Sequence, residues 1–90
     1  MAELDQIRER IRDIAARKEN VMLSEITWVV DRLKEHGYRT SCRDAKHGKL
    51  FGVGTQRFMV NVHNRGNKQV KPYSIRAFAN AMIDLGLYED

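Results

Sequence analysis

An α+β fold, three antiparallel strands packed against helices, is what this chain predicts, from two changes of hydrophobic period and the shortness of its connections. Apolar residues recur every three or four positions early on, every second position in the middle, and every three or four again near the end. The strand-like runs are joined by only a few residues, too few for the crossover that a parallel pair requires. The predicted order is helix, helix, three strands, helix. One sheet face is covered by helices and the other is left for a ligand.

Leu4, Ile7, Ile11, Ile14 and Ala15 share one helical face between Arg, Glu and Asp, which predicts an amphipathic helix over residues 3–18. Its narrow stripe suits packing on the rest of the chain, or on a second copy in a homodimer. Ser24 is a candidate N-cap for a second helix. Ile26, Val29, Val30 and Leu33 form its buried face, and Gly37 is its left-handed stop. Trp28 lies off that face and is expected to pack under the first helix.

From Tyr38 the period is two. Tyr38, Thr40 and Cys42 alternate with Arg39, Ser41 and Arg43, giving a strand with one polar face. Leu50-Phe51-Gly52-Val53 gives a second strand, Gly54-Thr55-Gln56 a turn, and Phe58, Val60 and Val62 a third strand. Residues 63–69 lack periodicity and read as an exposed loop. Ser74 is the candidate cap of a last helix that buries Ile75, Phe78, Ala79 and Met82 and stops at Gly86.

Ninety residues, 42% of them apolar, support one small domain, residues 1–90, with an ordinary core. The lone cysteine, Cys42, excludes an internal disulfide framework and fits a reducing compartment. No apolar run reads as a signal peptide or a membrane span, so a cytoplasmic location away from membranes is expected.

The net charge of +4 hides an asymmetry. Residues 1–37 carry seven Lys/Arg against eight Asp/Glu. Residues 39–71 carry Arg39, Arg43, Lys46, Lys49, Arg57, Arg65, Lys68 and Lys71 against Asp44 alone. Positive charge concentrated in one segment attracts phosphate polyanions, so nucleic acid is the favoured partner over a merely solvated surface.

No Gly-Lys-Ser/Thr phosphate loop, zinc-ligand spacing or nucleophile elbow is present. What remains is histidine beside lysine. RNA can be cut by its own 2′-hydroxyl, given a base for the hydroxyl proton, a cation for the phosphorane and an acid for the leaving oxygen. Imidazole serves as base or acid near neutrality. His47 falls in the turn between the first two strands, flanked by Lys46 and Lys49 as the cations. Such chemistry needs no metal, and no cofactor is expected. Arg65 and Lys68 in the following loop are candidate phosphate ligands. So are Lys71 and Arg76, which flank the start of the last helix, where free N–H groups favour an anion.

Several segments resemble the HicA toxins of bacterial toxin–antitoxin systems. They are Asn20-Val21-Met22-Leu23-Ser24-Glu25, Gly37-Tyr38, Val60-Asn61-Val62-His63 and Val70-Lys71-Pro72-Tyr73-Ser74-Ile75-Arg76, with His47 ten residues after Gly37. The Val-Lys-Pro-Tyr run is the most specific of these. The resemblance spans residues 19–87; residues 1–20 form an extra helix ahead of a core at 21–88. It implies a fold like double-stranded RNA-binding domains, mRNA cleavage by a metal-free endoribonuclease with His47 as catalytic residue, and a HicB-like antitoxin partner. The family's Gly-Ser before the histidine is Ala45-Lys46 here, a departure at the residue positions that aim the ring. Two other functions fit the residues: a non-catalytic RNA- or DNA-binding module using the same basic surface, and an adaptor pairing through the first helix.

Overall fold

In the computed structural model, which describes residues 3–63 and 68–89, α1 (Leu4–Ala16) buries Ile7, Ile11 and Ile14 completely. Burying one such side chain stabilises the fold by about 1.5–3 kcal/mol. The stripe packs against α2 (Leu23–Glu35) and α3 (Pro72–Asp84) in the same apolar cluster as Val29, Leu33, Phe78 and Met82. These three isoleucines are therefore used inside the chain.

Helices α2 and α3 begin earlier than their serines suggest. Met22 is the N-cap of α2, its N–H donating to Glu25 Oε2 at 2.8 Å. Leu23 N–H bonds the Lys68 carbonyl at 2.8 Å, which fixes the chain there and leaves Ser24 inside the helix. Lys71 is the N-cap of α3, with Pro72 at the first helical position. Ser74 caps nothing; it is fully buried and its Oγ accepts the Asn61 N–H at 2.9 Å. Gly37 (φ 93°) ends α2 through a left-handed turn, as the sequence predicts.

Strands β1 (Thr40–Ala45), β2 (Gly48–Val53) and β3 (Gln56–Asn61) form an antiparallel sheet in the order β1-β2-β3. The register pairs Cys42 with Phe51 and Phe51 with Phe58, so these three share a face. Phe58 stacks on Phe51 at 5.6 Å and meets Phe78 of α3 edge-on at 5.7 Å, joining sheet to helix layer. Gly54 (φ 60°) opens the two-residue β2–β3 turn, the position of a type II′ hairpin that favours glycine. The opposite face carries the row Arg43, Leu50 and Met59, with Arg43 and Met59 exposed. Strand β1 departs from its expected half-buried pattern. Its four central residues are exposed, because it is an edge strand reached by α2 only in part.

Trp28 packs partly buried between the first two helices, as expected. The guanidinium carbons of Arg10 and Arg32 lie 5.0 and 5.6 Å from its ring centre. Arg17, just beyond α1, is ion-paired to Asp13 at 3.1 Å and to Glu25 of α2. Burial pushes the Glu25 carboxyl up, but the Arg17 and Met22 hydrogen bonds outweigh it and hold the group below its ordinary range.

Candidate nucleic-acid interface

The chemistry-bearing residues gather along one end of the sheet rather than on its uncovered face. Lys46 and His47 form the two-residue turn between β1 and β2, and both are exposed. Val62 N–H donates to the His47 carbonyl at 2.8 Å, continuing the β2–β3 pairing past Asn61. Val62 in turn bridges Val70, and Val70 N–H donates to the Val21 carbonyl at 2.7 Å. Four backbone segments thus lie side by side across the end of the sheet. At about 4.8 Å per step, the row from His47 to Val21 is about 14 Å wide.

Gly48 is what draws the turn over β3. A β-carbon there would lie 1.9 Å from the Val60 carbonyl oxygen, a backbone atom that no rotamer change can move. Gly52 is different, since a β-carbon would meet the movable Ser41 Oγ at 2.5 Å. The glycine after the histidine is therefore required by close approach of two strands, and it fixes where the imidazole is carried.

Asn61 ties β3 to the start of α3 three times. Its N–H goes to Ser74 Oγ, its carbonyl accepts the Lys71 N–H at 2.9 Å, and its Nδ2 donates to the Tyr73 hydroxyl oxygen at 2.9 Å. Tyr73 is 58% exposed. Its oxygen is engaged as acceptor, which leaves the phenol O–H free to donate to a phosphate oxygen. The Lys71 ammonium lies 5.9 Å from the Tyr73 ring centre, at the outer limit of a cation–π contact.

The six predicted phosphate ligands divide into separate groups. Lys46 and Lys71 lie at the His47 end. Lys49 is ion-paired to Asp44 at 3.1 Å, and that hydrogen bond raises its ammonium above the ordinary value. It lines a groove beside α2 with Lys68, Leu23 and Trp28, on the helix side of the sheet. Its charge is shared with an exposed carboxylate, not directed wholly at a substrate. Arg76 does not line that groove; it lines a cleft between α3 and the end of α1. Arg65 lies outside the described residues.

Sequence reasoning does not single out Asn61, Tyr73 or His63. His63 follows the residue bonded to His47, and its N–H bonds the Gln69 carbonyl at 2.8 Å, so a second exposed imidazole sits at the same sheet end. A signal for Asn61 exists: it is the polar residue between Val60 and Val62 in an alternating strand. Among the described residues, no three His, Cys, Asp or Glu side chains form a metal-ligating group, and no helix is long and apolar enough to cross a membrane. Comparison with protein-family models, with curated proteins and with solved structures finds no match in any of the three.

Proposed function

We propose that this chain binds single-stranded RNA across the end of its sheet and cuts it without a metal, as the HicA-like segments imply. The observation that carries the reading is the adjacency of the His47 turn, with Lys46, to the Lys71–Tyr73 start of α3, through consecutive residues of β3 and its extension. In this reading His47 removes the proton of a 2′-hydroxyl. The 2′-oxygen bonds to the adjacent phosphorus as the bond to the 5′-oxygen breaks. Lys46, Lys71 and the Tyr73 hydroxyl meet the charge on the phosphorane oxygens. His63, as its imidazolium, gives a proton to the departing 5′-oxygen. The products are a 2′,3′-cyclic phosphate and a 5′-hydroxyl end. A HicB-like antitoxin covering this exposed end is the partner that the resemblance adds.

The second reading is an RNA-binding module that does not cut. It is favoured by the engagement of Lys49 with Asp44 and by Ala45-Lys46 in place of the family's Gly-Ser. A single 2′-deoxy substitution separates the two. Cleavage at one labelled position should stop when that nucleotide lacks its 2′-hydroxyl, while binding persists. Equal cutting of the deoxy strand contradicts the proposed chemistry, and binding with no cutting of either strand favours the second reading.

A further inference from the structure

We infer that the cleft between α1 and α3 is a nucleotide subsite, taking one base and its phosphate from the strand that also crosses His47. This rests on the RNA reading above, but it concerns different residues. The cleft holds about 370 Å³, within the range of small-ligand sites that begins at roughly 300 Å³. Ala79, Ile83 and Tyr88 give it an apolar side, and Lys18 and Arg76 bring positive charge with no carboxylate among the lining residues. Neither Lys18 nor Arg76 has an ion pair among the described residues, unlike Arg17, which also lines the cleft but faces Asp13 and Glu25.

The chemical class follows from that combination. A flat apolar face with cations at its margin suits a nucleobase joined to phosphate, since every base offers a π-face and strand contacts come from cations. Asn80 adds an amide with both donor and acceptor for a base edge. The location is continuous with the first site. Lys18 lies three residues before Val21, the last member of the backbone row that begins at His47, and Pro72 of the cleft adjoins Lys71. The segment ahead of the resemblance thereby contributes to binding as well as to the core.

The test is a titration of ¹⁵N-labelled protein with uridine and adenosine 5′-monophosphates, uridine, inorganic phosphate and poly-glutamate. The expected result is perturbation of the Ala79, Asn80 and Ile83 amides by the monophosphates. Their affinity should exceed that of phosphate or uridine alone. It should fall about tenfold in the Lys18→Gln/Arg76→Gln variant, the effect of losing charge-assisted hydrogen bonds. Ala79→Leu, which fills the cleft without changing charge, should abolish the perturbation, and His47→Ala should retain it. Equal binding of phosphate alone, unchanged nucleotide affinity in the charge variant, or uptake of poly-glutamate in preference to either nucleotide overturns the inference. Nucleotide binding in a protein that never cuts RNA leaves the subsite standing and removes only the catalytic reading. Cleavage that depends on His47 without nucleotide uptake in the cleft does the reverse.

Discussion

His47 and Lys71 are hydrogen-bonded to consecutive residues, 2.8 Å from the His47 carbonyl to Val62 N–H and 2.9 Å from Lys71 N–H to the Asn61 carbonyl. Residues 24 positions apart in sequence are thus held at one sheet end by backbone bonds, which do not depend on flexible side chains.

Gly48→Ala should be far more damaging than Gly52→Ala. The first drives a β-carbon into the Val60 backbone carbonyl, whereas the second meets a serine hydroxyl that can turn away. Overpacking of this kind costs about 1–3 kcal/mol or more. Urea unfolding of the two variants checks the ranking, and equal midpoints would show that the turn is not held against β3.

Ser74→Ala should lower stability although no charge is lost. It strands the part-buried Asn61 N–H, and an unsatisfied buried donor costs about 1–3 kcal/mol. Thermal unfolding measures the loss. A Tm equal to that of the wild type would mean that Asn61 finds another acceptor and that β3 and α3 are not joined through this bond.

Much of the fold is legible in the residues alone, and the reasons for the rest are specific. Ile7, Ile11 and Ile14 carry the period of α1, but a narrow stripe reads the same whether it covers the chain's own core or another helix. Ser24 and Ser74 fit the preference for capping, yet Met22 and Lys71 cap instead because backbone bonds at Lys68 and Asn61 fix the chain first. The turn position of His47 follows from the alternating run before it and the short apolar run that begins at Leu50 after it. The separation of Arg76 from Lys71 does not, since five residues on a helix turn one cation toward α1 while the other stays at the cap. Lys49 reads as a free cation in the sequence because spacing does not show that Asp44 lies directly opposite it in the sheet.

Acid should weaken the link between α1 and α2. Glu25 has a folded-state pKa below its ordinary 4.5, so its contribution is complete above about 4.5 and is lost as the pH falls through the lower folded value. Arg17 stays charged throughout that range. The Tm difference between wild type and Glu25→Gln should be constant from pH 7 to about pH 5 and shrink below about 4.5. A difference that is unchanged at about pH 3 would remove the ion pair as its source.

Lys71→Glu should weaken RNA binding alike for all sequences, since phosphate carries no base identity. The slope of log affinity against log salt should become shallower by about 0.7 for each single-strand phosphate that the variant no longer neutralises. Weakening confined to one sequence would assign Lys71 to a base instead.

The most direct measurement incubates labelled single-stranded RNA in EDTA with wild-type protein and with His47→Ala, scoring cleavage and binding together. Metal-independent products are expected with the wild type, and none with the variant, which keeps its fold and most of its affinity. Undiminished cutting by the alanine variant would contradict the role given to His47.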